Sequence, residues 1–351
     1  MAFNFLPKTA EEIGQAKLKN GSEYIALYTF LTKKVPAVKD PLAIDKTKPT
    51  AVKVMRQLNG KVTMQQMKNI TSVLNIDWGN GSRGGQGAGN KGNLFEGELT
   101  NDIQSYIDNG RDGPFDNAGN KKFVLEMADY YKLDSKKNIT VKAVGELNQK
   151  RSLVFNGPQP YIKGSDFNIG ATVTDVTVMA DNKPIYLSLK LGGTVTFFNA
   201  GVMRILTADE MSQGYVSNAQ GKALLDLFAI DNVKFCRVFR MYGGAEREIT
   251  EEDTFSKINK SRLKNFIMSG VGYGYHLVHK MGNDIHHFDI KKQDLERWST
   301  PTSCKVRYPI GEAKRVDIYV DTPKFELKFN IRNKQGGVFP SHIMSDYKIK
   351  H

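Results

Sequence analysis

The chain of 351 residues contains only two cysteines, Cys236 and Cys304, placed far apart. Neither a disulfide framework nor a cysteine-rich zinc site can be built from them, which suits a reducing compartment. No run approaches the ~20 apolar residues needed to span a bilayer. The opening segment MAFNFLPKTAEEIG has neither a basic start nor an apolar h-region, so membrane insertion and secretion are not expected. There is no G-x-x-x-x-G-K-[ST], and the glycines between Gly79 and Gly92 do not join a strand to a helix in the dinucleotide-binding pattern, which disfavours nucleotide hydrolysis. Internal repeats and long low-complexity tracts are also missing.

What is present is the composition of a folded globular protein: 40% hydrophobic and 25% charged residues. The formal net charge of +13 and the pI near 9.4 give the surface a field that attracts polyanions. Nucleic acid is the polyanion a cytoplasmic protein meets most often, so DNA is the first partner to consider. A basic surface serving solubility or an acidic protein partner is the plainer reading.

Along the chain, residues 10–75 carry helix formers and apolar residues three and four apart, as in Val52–Leu58 and Met64–Leu74. The glycine-rich segment Gly79–Gly92 follows as a loop or hinge. From Asn93, apolar residues at Phe95, Leu99, Ile103, Tyr106 and Ile107 predict an amphipathic helix that ends at Asn109-Gly110. Phe123–Leu133 is a second expected helix and Ile139–Val144 a strand. Helix is expected over 208–230 and 254–268, and a strand or short buried segment over 233–243. The C-terminal part alternates polar and apolar residues in short runs, which predicts antiparallel strands.

The clearest local pattern is ATVTDVTVMA-DNKP-IYLSLKLGG, two β-rich runs joined by turn-forming residues, and hence a β-hairpin. Side chains alternate across a strand, so Ile185, Leu187, Leu189 and Leu191 form one face and Tyr186, Ser188 and Lys190 the other. A lysine so deep in an apolar strand has to be paired or to line a cleft, because an unpaired buried ammonium is costly; an edge strand from which it snorkels to water is the bland alternative. Phosphodiester hydrolysis needs a divalent cation held by carboxylates and a base or cation beside the attacking water. Asp175 on the first strand and Lys190 on the second supply that chemistry.

These residues resemble the PD-(D/E)XK restriction-endonuclease-like superfamily, in which an Asp on one strand is followed by acidic-x-Lys on its hairpin partner. Asp175 matches the Asp and Ser188-Leu189-Lys190 the acidic-x-Lys, with Ser188 standing where the family usually has Glu or Asp. The family also carries a Glu on a helix before the hairpin, which Gly92-Asn93-Leu94-Phe95-Glu96 resembles. By helical geometry Glu96 lies about 50° from the centre of the apolar face and Glu98 about 110° away, so Glu96 is expected to point inward. Either acid could instead simply favour the helix N-terminus. The resemblance covers roughly residues 92–205 and implies Mg²⁺ as cofactor, with Mn²⁺ as a substitute, held by Asp175 and Glu96. It implies catalytic roles for Asp175, Ser188, Lys190 and Glu96.

A rival match, Asp317 with Glu326-Leu327-Lys328, also fits D…ExK, but Pro323 interrupts it three residues before Glu326 and no Glu-bearing helix precedes it. His276, His279, His286 and His287 fit no standard zinc spacing and are assigned to packing or phosphate contact. Expected nucleic-acid contacts are Arg83, Lys91, Lys150, Arg151, Arg332 and Lys334. The resulting expectation is an α/β (α+β) fold with a central mixed β-sheet flanked by helices. It divides into a helical N-terminal region (1–78), a Gly-rich loop (79–92), a nuclease core (93–230) and a strand-rich, DNA-gripping C-terminal region (231–351). The expected protein is a cytoplasmic, bacterial or virus-encoded endodeoxyribonuclease, with homodimerisation open. A non-catalytic DNA-binding or virus-particle protein with the same fold is the alternative.

Overall fold

The computed structural model describes residues 91–134, 138–143, 151–193, 195–333 and 339–350. The helices expected within 10–75, the loop up to residue 90, and Arg83, Lys150 and Lys334 lie outside the described residues, as does the side chain of Lys91.

Helix α1 (Lys91–Asn109) already includes Lys91 and Gly92, which the glycine content had assigned to the loop. Its apolar residues Phe95, Leu99, Ile103 and Tyr106 are buried at the predicted spacing. It ends at Asn109, before Gly110 turns the chain with φ 70°. In α2 (Ala118–Tyr131) the N-cap Asn117 accepts the Asn120 N–H at 2.9 Å, and Phe123, Val124 and Met127 are buried. The chain continues through β1 (Ile139–Ala143), β2 (Leu153–Asn156), β3 (Gln159–Ile162), a single turn α3 (Gly170–Val173), β4 (Val176–Ala180), β5 (Lys183–Leu191) and β6 (Val195–Gly201). Next come α4 (Ala208–Gln213), α5 (Ala219–Leu227), α6 (Asn232–Arg240), β7 (Glu248–Asp253), α7 (Lys260–Val271), β8 (Tyr275–Met281) and β9 (Asp284–Ile290). The last elements are α8 (Lys292–Trp298), β10 (Ser303–Ile310), β11 (Arg315–Asp321), β12 (Phe325–Arg332) and β13 (His342–Ile349).

The architecture is α+β. A five-stranded sheet has the order β1-β4-β5-β8-β9, antiparallel throughout except for the parallel pair β5 and β8. A six-stranded antiparallel sheet has the order β6-β13-β12-β11-β10-β7, and β2 and β3 form a separate hairpin. The sheets cross the expected division at residue 230: β8 and β9 complete the first sheet, and β6 begins the second. One face of the first sheet packs Val176, Val178, Leu187 and Val278 against α1 and α2. A larger core joins α5, α6 and α7 to the inner side of the second sheet, through Phe235, Phe266, Phe325 and Phe329 among others. Among the described residues no helix is long and apolar enough to cross a membrane.

Two local expectations are corrected. The segment expected over 233–243 as a strand or a short buried segment forms a helix over Asn232–Arg240. Asp231 caps it by accepting the Lys234 N–H at 2.9 Å, and its buried Phe235, Cys236, Val238 and Phe239 follow helical spacing with basic residues between them. The first run of the expected hairpin starts as the helical turn α3 and becomes a strand only at Val176. Gly170 opens that turn because a Cβ there would stand 2.0 Å from the Gly274 carbonyl oxygen.

Candidate active site on the central hairpin

The β4–β5 hairpin closes at Asp181-Asn182, with φ 49° and 62°. Both central residues adopt the left-handed conformation that a two-residue hairpin turn requires and that Asp and Asn tolerate. The turn fixes the register Val176↔Leu187 and Ala180↔Lys183, and with it the facing of every side chain on β5. Leu187 is buried under α1, with Ile185, Leu189 and Leu191 packed on the same core. Ser188 and Lys190 therefore point to the opposite face, as alternation predicts.

Asp175 stands immediately before β4, just past the last registered pair, Val176↔Leu187. Its N–H donates to the Leu187 carbonyl at 2.8 Å, and its carboxylate Oδ2 accepts the Leu189 N–H at 2.7 Å. The carboxylate thus takes the acceptor position that the next ladder carbonyl would fill, and this holds it against β5 beside Lys190. Burial pushes the Asp175 carboxyl above its ordinary pKa, opposed by the Lys190 charge and the Leu189 N–H. Burial pushes the Lys190 ammonium below its ordinary value, opposed by Asp175. Both groups are drawn toward neutrality and each restrains the other. Ser188 is 1% exposed, so its hydroxyl is enclosed beneath this pair's strand face.

The structure brings Asp175, Ser188 and Lys190 together on one hairpin. Glu96 is half-buried on α1, the helix packed against the Leu187 face, and its backbone carbonyl accepts the Thr100 hydroxyl at 2.7 Å. Glu98 does not simply face water: its carboxylate lies 3.5 Å from Lys280 Nζ, which also sits 4.8 Å from the centre of the Phe95 ring. Arg151 is 9% exposed and spends its guanidinium on the carbonyl of Lys163, just after β3, and on those of Ser269 and Gly270 at the end of α7. Arg332 lies on β12, opposite His342 of β13.

In the rival set Asp317 is enclosed at 1% exposure, with Arg315 Nε at 3.2 Å and Lys328 Nζ at 3.5 Å from the same carboxylate oxygen. Glu326 is exposed and opposite Asp321. The histidines separate into two groups. His276 and His287 are linked Nε2 to Nδ1 at 3.0 Å, with Tyr131 Oη 3.1 Å from His276 Nδ1 and Glu126 Oε2 2.8 Å from His287 Nε2. With both rings neutral only one proton order serves the chain: His287 Nε2–H donates to Glu126, His276 Nε2–H to His287, and the Tyr131 hydroxyl to His276. His279 lies on the other face, opposite Lys190 across the parallel pair. That adjacency was hidden in the sequence, because the partner of a parallel strand is set by tertiary topology and not by local spacing.

Magnesium takes oxygen ligands and is commonly held by one or two carboxylates together with substrate phosphate. The partly exposed Asp175 carboxylate has that donor chemistry. Among the described residues no three His, Cys, Asp or Glu side chains gather as a metal-binding group. No protein-family model, curated protein or solved structure matches the chain.

Proposed function

We propose that the protein is a Mg²⁺-dependent endonuclease that hydrolyses DNA phosphodiester bonds, of restriction or bacteriophage type, built on a restriction-endonuclease-like core. The observation that carries this reading is the Asp175–Lys190 pair: a carboxylate fixed by a strand amide beside a lysine that burial biases toward its neutral form, both on the hairpin where the resemblance puts them. Asp175 would hold the cation, which supplies charge neutralisation at the phosphate and a more acidic water; Glu96, the second carboxylate that the resemblance implies, stands on the helix over the Leu187 face, and its part is tested separately. Lys190 orients the attacking water and holds its proton balance. Ser188, enclosed behind the pair, keeps the space at this point small and polar. Plasmid DNA incubated with the protein and Mg²⁺ or Mn²⁺, with and without chelator, tests the proposal. Chelator-sensitive nicking or linearisation is expected, and intact plasmid under both metals contradicts it.

The second reading is a non-catalytic DNA-binding or virus-particle protein, favoured by one observation: position 188 is a neutral serine where an acidic ligand is expected. It predicts DNA binding without cleavage, with log affinity falling against log salt by roughly 0.9 per phosphate neutralised.

A further inference from the structure

The six-stranded sheet has two unlike sides. Its inner side puts Val316, Ile318, Phe329 and Ile331 into the core, and α6 and α7 pack there. Strand alternation sends Arg307 of β10, Arg315 and Asp317 of β11, and Lys328 and Arg332 of β12 to the outer side. There the register sorts charge along the strands. At one end Asp321 stands opposite Glu326. At the other, Arg315 stands opposite Arg332 and Arg332 opposite His342, so that two guanidiniums and an imidazole form a row across three adjacent strands with no acid in it. Arg307 lies opposite Asp317, one position along from this row. Like charges directly opposite one another destabilise a sheet.

The neighbouring acids do not neutralise the row. Asp317 is shared between Arg315 Nε at 3.2 Å and Lys328 Nζ at 3.5 Å. Glu246 and Glu248 pair with Arg237 of α6 at 3.9 and 2.8 Å, and Glu251, opposite Arg307, pairs with Lys305 at 3.7 Å. No described carboxylate lies within ion-pairing distance of Arg307 or Arg332, and the Arg332 Nε has no hydrogen-bond partner among the described residues. The Arg315 side chain is 41% exposed, so its charge is open to solvent. We propose that Arg307, Arg315 and Arg332 form a docking row for the phosphodiester backbone of nucleic acid. A guanidinium is a planar fork that meets phosphate oxygens in pairs and keeps its charge at any working pH. Backbone phosphates need no apolar anchor, whereas a protein partner would, and β10 to β13 expose no large apolar side chain. The first sheet meets the inner side, where His279 packs on Tyr347, so the row faces away from Lys190 and grips without taking part in cleavage. It rests on the nucleic-acid binding common to both readings of the function, not on the Asp175 site.

Fluorescence anisotropy with a labelled DNA duplex, in chelator so that nothing is cleaved, compares the wild type with the double variant Arg307→Gln/Arg332→Gln. Neither arginine holds a carboxylate, so the ion pairs of the sheet stay in place. The slope of log affinity against log salt should become shallower by about 1.8, roughly 0.9 for each of two lost phosphate contacts, and affinity at low salt should fall about tenfold or more. Lys257→Gln/Lys292→Gln, which takes the same charge from two exposed lysines elsewhere, should change the slope by less than about 0.5. A second measurement needs no variant to fold: phenylglyoxal modification of the wild type, mapped by mass spectrometry, should be blocked at Arg315 by the duplex and not by polyglutamate. Equal losses in the two double variants, or Arg315 modified as fast with duplex as without it, overturn the row while nucleic-acid binding stands. Protection by polyglutamate and not by duplex overturns it in favour of an acidic protein partner. A wild type that binds no duplex at low salt overturns the row together with both readings of the function.

Discussion

Asp175 accepts the backbone N–H of Leu189 through Oδ2 at 2.7 Å, so a side-chain carboxylate ends the strand ladder one residue before Lys190. The same contact therefore serves both the β4–β5 register and the placement of charge beside the lysine. Structure and chemistry at this position can be separated by the choice of substitution.

Asp175→Asn keeps an oxygen acceptor for Leu189 but loses the negative charge, whereas Asp175→Ala loses both. Urea unfolding should show Asp175→Ala destabilised by about 1–3 kcal/mol, with Asp175→Asn losing visibly less, while both abolish cleavage. Equal stability losses in the two variants would mean that the Leu189 contact contributes nothing.

The chain Tyr131–His276–His287–Glu126 ties α2 to β8 and β9 and works with His276 neutral. Burial and the neighbouring His287 push the His276 pKa down to about 3. Below the ordinary value of 6.5 the unfolded chain takes up a proton that the folded chain refuses, so this group's contribution is present above pH 6.5 and is lost as pH falls toward 3. Unfolding midpoints measured from pH 7 to pH 4.5 should fall less steeply for His276→Gln than for the wild type, by about 1.4 kcal/mol per pH unit at the steepest. Parallel curves would show that His276 is protonated in the folded protein.

Much of the first sheet was legible from residues alone, for reasons visible at particular positions. The period-two alternation from Ile185 to Leu191 assigned each side chain to its face, and Asp181-Asn182 marked the turn. The spacing of Phe95, Leu99 and Ile103 marked α1. The segment 232–240 was open between a strand and a short buried segment, and Phe235, Cys236, Val238 and Phe239 fit a helical stripe that the Asp231 cap selects. The β2–β3 hairpin was lost in a Gly/Pro/Asn-rich stretch because its four-residue strands carry too few positions to show a period. The nearness of His279 to Lys190 depends on a parallel pairing formed across two intervening strands and four helices, and the burial of Arg151 was hidden because two of its carbonyl partners, Ser269 and Gly270, lie more than a hundred residues on.

The two acids of α1 separate metal binding from structure. If Glu96 supplies the second carboxylate, Mn²⁺ titration by calorimetry should lose its heat in Glu96→Ala and keep it in Glu98→Ala. Glu98→Ala should instead lower thermal stability, because Lys280 loses its carboxylate 3.5 Å away. Unchanged Mn²⁺ binding in Glu96→Ala would move the second ligand elsewhere on the chain.

The most direct measurement is Mg²⁺-dependent plasmid cleavage by Lys190→Ala and Lys328→Ala, prepared and assayed side by side with the wild type. Lys190→Ala should leave the plasmid intact at DNA affinity within a few-fold of the wild type. Lys328→Ala, which removes the Asp317 ion pair and the contact with the Tyr319 ring, should cleave at a rate close to wild type. Near-normal cleavage by Lys190→Ala together with loss in Lys328→Ala would contradict the account and shift the site to the β11–β12 hairpin.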